Sequence, residues 1–510
     1  MGEKYLIGVD VGTYETKGVI TNLKGEVLST QVKPHKMLIP QQGWAEHDPE
    51  EVWWGDFVDV TKRLLSTSGV DPKDILAVGC SAIGICVLPI DKQGNPLRKG
   101  GILYGVDTRS TEEIAYLEKE IGSDRIFELA GMTLSSQAAA PKILWLKRNE
   151  PEVYKKAHKF VTASTFIVGR LTGNYVIDHL TGSFVAPLYD FKQRKWTDEL
   201  TKEIVELERL PELRWASEVA GTVTAEAARQ TGLLEGTPVT VGTADAAAES
   251  VSVGVTNPGQ MMLMYGSTVF IIEVLDKPIA DERMWANPYL FEGTSALLAG
   301  MATSGSLTRW FRDQITADLL AAEENGGPNA YGEITKEASS IPAGSEGLIC
   351  LPFFSGERTP INDPKARGVY FGLTLAHTRA HMFKATLEGI GYGVRHHLEI
   401  MRDMGAFPEE VIAVGGGTKS PLWLQTVSDI GQVSQKVPAV TLGASYGDAF
   451  LAGMGAGVFS QPTDINNWLN DSRMVHPDKS LAEIYDKYMD LYLELYQQNK
   501  ALMHRIYELA

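Results

Sequence analysis

The stretch Tyr5 to Ile20, YLIGVDVGTYETKGVI, constrains the fold more than any other, because an apolar strand, a tight polar turn and a returning strand follow one another there. Leu6, Ile7, Val9 and Val11 form a near-continuous apolar run bounded by Gly12 and Thr13, the pattern of a strand buried on both faces. Asp10 lies inside that run. An unpaired buried carboxylate is costly, so Asp10 must accept backbone N–H bonds or face a cation. The turn adds Gly12 for close backbone approach, hydroxyls at Thr13 and Thr16, and the point charge of Lys17. A hairpin whose turn N–H groups cradle phosphate, beside a carboxylate that holds magnesium through water, needs these residue types at this spacing. An ordinary hairpin with a capped aspartate uses them too.

A chain of 510 residues exceeds what one core fills, so two domains and a terminal appendage are expected. The linker-like Thr256-Asn257-Pro258-Gly259 marks the first division, giving domains at 1–255 and 256–460 and a helical extension at 461–510. A net charge of −17 without any Lys/Arg run argues against a nucleic-acid partner. Cys80, Cys86 and Cys350 lack C-x-x-C spacing and read as core thiols. With no signal-peptide pattern and no apolar run of membrane-spanning length, the expectation is a cytoplasmic protein with no membrane partner. The oligomeric state stays open, a homodimer being one option.

Further along, GWAEHDPEEVWW carries a helix start: Asp48 as N-cap, Pro49 at the first helical position, Glu51 as capping-box acid, and Trp53 and Trp54 opening the buried face. Short apolar runs at Ile75 to Cys80 and Ile85 to Ile90 flank Ser81-Ala82-Ile83-Gly84, so strands alternate with helices in a mixed α/β domain. Lys142 to Leu146 and Phe160 to Leu171 read as helices of that domain. Asp107 and Arg109, just after an apolar run, suit a polyhydroxylated ligand held by charge-assisted hydrogen bonds, or a surface salt bridge.

Val239 to Glu249, VTVGTADAAAE, is the second chemical stretch: a strand that stops at Gly242 and returns as an Ala-rich helix. Asp245 at the helix start is an N-cap, a general base kept ionised by the helix dipole, or both. Beyond the linker the opening theme recurs as MMLMYGSTVFIIEV, Met261 to Val274, with Gly266-Ser267-Thr268 as its turn. A repeat of this kind suggests two similar halves, each turning a phosphate-facing hairpin to one cleft. Ser304-Gly305-Ser306-Leu307 opens a helix, and Glu323 to Ala330 reads as a polar surface loop. Thr374 to Met404 is helical, and its His377 and His381 lack the Glu of an H-E-x-x-H metal site. Gly415-Gly416-Gly417-Thr418-Lys419-Ser420 follows a strand and lets a flat ring or a phosphate approach the backbone. Gly443-Ala444-Ser445-Tyr446-Gly447 is a literal G-x-S-x-G, but the mostly helical chain after it leaves no strands to deliver an acid and a histidine. From Ser480, with Glu483 completing a capping box, an amphipathic helix packs back on the body.

Together these pieces resemble the FGGY family of carbohydrate kinases, of the actin-like ATPase superfamily, over roughly residues 4 to 460. The most specific match is GVYFGLTLAHTRAHMFKATLE, Gly368 to Glu388, which fits the family's second signature position by position. The resemblance implies two actin-like (ribonuclease H-like) α/β domains closing on a sugar, with ATP and Mg2+ as cofactors. It implies that Asp10, Gly12, Thr13 and Lys17 form the first phosphate motif with its magnesium, which Asp245 also approaches. Gly266, Ser267, Thr268 and Gly305 would form the second, and Gly416, Gly417 and Ser420 would line the adenosine site. Asp245 would be the catalytic base, contacting a sugar also held by Ser81, Ala82, Ile83, Asp107 and Arg109. GWAEHDPEEVWW and SGERTP look most like the xylulokinase branch, which makes a ketopentose such as D-xylulose the expected substrate, with another ketose or polyol (ribulose, erythritol, gluconate), or a non-catalytic nucleotide-binding sensor on the same fold, as the alternatives. The first signature is half present: Lys142, Trp145 and Asn149 fit, whereas Gln137 and Ala139 depart from it. Ser81-Ala82-Ile83-Gly84-Ile85 replaces a Gln-Met-His-Gly sugar contact, and Gly105 replaces a common Trp.

Overall fold

A computed structural model describes residues 3–469 and 471–509. The chain divides into two compact units that interleave along the sequence. One takes the chain to Pro258 together with Val274–Ala296 and Leu442–Leu469, and the other takes Gly259–Glu273, Leu297–Thr441 and the chain after 469. The cuts read from the sequence were contiguous; here the helix Ala444–Gly455 returns to the first unit, and the boundary between Glu273 and Val274 falls within the strand Val269–Leu275.

In the first unit a mixed sheet runs in the order Val219–Thr222, Pro238–Thr240, Ile75–Ala82, Tyr5–Val11, Glu15–Asn22, Val27–Pro34. Tyr5–Val11 pairs antiparallel with Glu15–Asn22 and parallel with Ile75–Ala82, so it is central and its apolar run is buried. Helices cover both faces, which is why the strand lacks simple alternation. On one face a Cβ at Gly8 would lie 1.9 Å from the Ser445 carbonyl oxygen, and one at Gly79 would lie 2.2 Å from that of Asp448. On the other face Gly18 admits Val60 and Leu64 of the helix Gly55–Ser68. Glycine on the strands thus lets the helix Ala444–Gly455 come to backbone contact. Its Ser445 is buried and Gly447 packs on the Ala248 carbonyl, so the G-x-S-x-G is a packing motif.

The second unit repeats the theme. Gln260–Tyr265 pairs antiparallel with Val269–Leu275 and parallel with Glu410–Val414, and the sheet continues through Gln435–Pro438 to Ser472–Val475. The long helix Arg379–Asp403 lays Gly389 on the Cys350 carbonyl and Gly391 on Ile430. The helix Ala482–Leu509 buries Tyr485, Met489, Tyr492 and Tyr496, two of them against Phe353. Among the described residues no helix is long and apolar enough to cross a membrane.

Several element boundaries differ from the sequence reading, each for a local reason. Lys159–Val161 is a strand, and the helix begins at Ala163 because the Thr162 hydroxyl accepts from the Thr165 N–H. The helix expected from Thr374 starts at Arg379, where Thr378 and His381 cap reciprocally. Ahead of the C-terminal helix, Asp478 caps the short 3-10 turn Lys479–Leu481 by accepting from the Ser480 N–H, while Glu483 pairs with Lys487.

Candidate functional site

Asp10 stands near the end of its strand, opposite Lys17 across the hairpin and beside Ser81 on the parallel neighbour. The Ser81 hydroxyl lies 3.0 Å from Asp10 Oδ1 and 2.7 Å from Asp448 Oδ2. One hydroxyl proton cannot serve two carboxylates, so one acid must carry its own. Asp448 is fully buried, and burial together with the charge of Asp10 pushes it well above the usual carboxylate range, making it the protonated partner.

Asp245 follows the short strand Thr243–Ala244, which pairs with the end of Ile75–Ala82. It is the first residue of the helix Asp245–Ser252 rather than its N-cap; Ala244 holds that position without a side-chain bond. The Asp245 carboxylate accepts from the Ala246 N–H at 2.7 Å and is also held by the Gly84 N–H. Burial pushes it up to about 6 against those two donors, so the helix terminus lowers its pKa without cancelling desolvation. Glu249, one helical turn on, is pushed up to about 7 by burial and by Asp245, with Lys17 opposing. Asp10 is raised as well, by burial first and then by Asp245. Three carboxylates, each still partly open to solvent, thus crowd one another, and Lys17 opposes two of them, Asp10 and Glu249. Among the described residues no three His, Cys, Asp or Glu side chains converge closely enough to bind a metal directly.

The residues expected to contact the sugar are engaged within the protein. Ser81 is spent on the two aspartates, and Ala82 at the strand end and Ile83 just after it are buried, the Ile83 N–H donating to the Val11 carbonyl. Asp107 and Arg109 form neither an open ligand clamp nor a surface pair. Both side chains are 0% exposed; Arg109 bridges Asp107 at 2.7 Å and Glu46 at 2.8 Å and lies 3.9 Å from the Trp44 ring centroid. Thr13 meets the Tyr104 hydroxyl at 3.4 Å.

In the second unit, Gly266, Ser267, Gly305, Gly416, Gly417 and Ser420 line one cavity of about 650 Å³; Thr268 is the one member of its turn outside the lining. That volume suits a nucleotide-sized ligand. The helices Gly305–Gln314 and Pro421–Gly431 both begin at its wall, so two sets of helix-terminal N–H groups border it. Gly415 sits at φ +91° and a Cβ at Gly417 would strike Trp423, so glycine is required for this loop to lie flat.

Sequence reasoning missed several residues here. Asn329 reaches the cavity from the segment read as a surface loop, where it caps the helix Ala330–Ala338, and Tyr331 reaches it from the first turn of that helix. Phe383, Leu387 and Trp423 supply apolar wall. Asp448 carried no local signal at all. Lys142, inside a helix read as structural, is fully buried and donates to the carbonyls of Leu103, Tyr104 and Ser136 at 2.8, 2.9 and 2.6 Å.

Comparison with known proteins agrees with this arrangement. The model of the N-terminal domain of the FGGY family of carbohydrate kinases matches residues 5–252, and that of the C-terminal domain matches residues 261–456. The xylulose kinase of Escherichia coli (strain K12) is 29% identical over 505 residues, covering 98% of this chain and 99% of that protein. The gluconokinase of Bacillus subtilis (strain 168) is 26% identical over 494 residues, covering 96% and 95%. The crystal structure of xylulose kinase from Rhodospirillum rubrum aligns with a TM-score of 0.91 at 29% identity, covering 98% of this chain and all of that one. With both domain models matched and the repeated hairpin present in each unit, the chain belongs to the FGGY family of carbohydrate kinases and is an ATP-dependent sugar kinase on an actin-like α/β fold.

Proposed function

We propose that this kinase transfers the γ-phosphate of ATP to a primary hydroxyl of a ketopentose such as D-xylulose, in the cytoplasm, with Asp245 as the base. The observation that carries the reading is the state of Asp245: a carboxylate at a helix start, held by two backbone N–H groups and poised at about 6. Such a group is ionised at neutral pH yet basic enough to take a hydroxyl proton as the phosphoryl group moves. The nucleotide is assigned to the cavity of the second unit, and the Gly12–Lys17 turn of the first unit is read, by itself, as a phosphate site. Asp10 and Asp245 are the residues that would hold Mg2+, through water. Crowded carboxylates around a single lysine are short of positive charge, which fits a divalent cation. When bound, it neutralises phosphate charge.

The names of the similar xylulose kinases support the ketopentose. A gluconokinase at comparable identity supports gluconate as the second reading. An ADP-release assay with ATP, magnesium and a panel of D-xylulose, D-ribulose, L-ribulose, erythritol, glycerol and gluconate tests both. We expect turnover on D-xylulose, reduced about 10³-fold in Asp245→Ala with ADP affinity nearly unchanged. Turnover on gluconate alone replaces the substrate, and a variant with wild-type turnover overturns the base.

A further inference from the structure

Two histidines hold the first turn from behind. The Gly12 N–H donates to the Glu15 carbonyl at 3.0 Å, closing the turn. The Gly12 carbonyl meets Nε2 of His35 at 3.0 Å, the Thr13 carbonyl meets Nε2 of His47 at 3.1 Å, and the Tyr14 carbonyl accepts from the His35 backbone N–H at 2.8 Å. In a planar trans peptide the C=O and the following N–H point in opposite directions. Pinning the Gly12 carbonyl therefore aims the Thr13 N–H away from His35, and pinning that of Thr13 aims the Tyr14 N–H away from His47. Among the described residues no protein acceptor is bonded to either N–H.

The hydrogen bonds also fix where the protons are. A carbonyl oxygen only accepts, so both Nε2 atoms carry hydrogen. His35 Nδ1 lies 2.8 Å from Asp56 Oδ2, and Asp56 also takes Lys33 at 2.8 Å and the Thr16 hydroxyl at 3.2 Å. Burial raises Asp56, but His35 and Lys33 outweigh it and hold the carboxyl below its ordinary range, so it is ionised and accepts. His35 then bears hydrogen on both nitrogens, an imidazolium. His47 is different: its Nδ1 accepts from the Trp53 indole N–H at 3.3 Å, which leaves a neutral ring with hydrogen on Nε2 alone. Burial, and then the charge of His35 5.0 Å away, push His47 down to about 4, in keeping with that state.

We propose that His35, charged through Asp56, and His47, neutral through Trp53, are positioning residues that aim the Thr13 and Tyr14 amides at a phosphate oxygen of the nucleotide. This rests on the reading of the Gly12–Lys17 turn as a phosphate site. Two free N–H groups set side by side make an anion-binding concavity, and an imidazolium behind it adds attraction. Neither histidine touches the ligand.

The test is long-range 1H–15N correlation of the full-length protein labelled with 15N-histidine, near neutral pH, signals being assigned by their loss in His35→Gln and His47→Gln. Both nitrogens of His35 should resonate as protonated, and His47 should show the neutral Nε2–H tautomer. In parallel, ATP affinity is measured by calorimetry and KM values by ADP release. His47→Ala should weaken ATP and raise its KM about tenfold with the sugar KM within about twofold, and His47→Gln, whose amide N–H reaches the Thr13 carbonyl, should restore most of it. A neutral His35 overturns the proposal without any variant having to fold. If His47→Ala leaves ATP affinity intact while Lys17→Ala weakens it, the positioning role alone falls. If neither weakens it, the phosphate reading of the turn falls with it.

Discussion

In the first unit the turn after Val11 is braced by side chains, its carbonyls held by the rings of His35 and His47. In the second unit the turn after Tyr265 is braced by backbone: the Gly266 carbonyl accepts from the Gly305 N–H, and that of Ser267 from the N–H groups of Ser304 and Ser306, each at 3.0 Å. Serine hydroxyls at 304 and 306 add to the same two oxygens. The outcome is alike, carbonyls bound behind and amides left in front, but the materials differ. Side-chain bracing brings charge and depends on protonation. Backbone bracing is neutral, and its requirement is steric, because Gly305 must touch the turn.

That contrast is broken most severely at Gly305. A Cβ there would lie 2.5 Å from the Gly266 carbonyl oxygen, a backbone atom with little room to move. Gly305→Val should therefore reduce ADP affinity about 100-fold by calorimetry, while the first unit keeps its histidine spectrum. Unchanged affinity would mean that the second turn does not shape the cavity.

The side-chain bracing of the first unit extends deeper, through Lys142. Its ammonium serves the carbonyls of Leu103, Tyr104 and Ser136, and burial lowers it to about 8. Lys142→Met strands three buried acceptors and should destabilise by about 3 kcal/mol in urea unfolding, with a loss of less than 1 kcal/mol showing that water replaces the lysine.

The smallest effect sharpens the comparison at a buried acid. Asp56 in the first unit is paired, whereas Glu273 in the second is pushed up from 4.5 to about 8 by burial, and its Oε2 is among the buried atoms with no partner. An acid whose folded pKa is raised contributes stability that is fully present below the unfolded value of 4.5 and is lost as pH rises toward about 8. Glu273→Gln should raise stability at neutral pH by about 1 kcal/mol and flatten the dependence between those values, as read by melting temperature against pH. A variant with the wild-type slope would place the titration elsewhere.

Much of this was legible locally. The apolar run around Asp10, the turn that sets it opposite Lys17, and the recurrence of strand and turn at Met261 are short-range patterns, and the hairpin register follows from them. The glycine loop after Val414 and the Gly-Ser turn after Tyr265 showed which backbone a ligand can approach. Asp245 was placed correctly at a strand-to-helix junction, but its role as cap was not, because one residue of offset decides whether a side chain faces its own helix start.

What the sequence determined by itself is therefore the set of elements and the backbone that can meet an anion, since these depend on residues close in the chain. Tertiary structure decided which charges meet. Asp448 shares a serine with Asp10 only because Gly8 and Gly79 let a distant helix reach the sheet. Asp107 and Arg109 are buried only because Trp44 and Glu46 cover them. His35 and His47 grip one turn from two different segments. Electrostatic and hydrogen-bond partners act over a few ångströms, and no local pattern encodes which far residue will arrive at that distance.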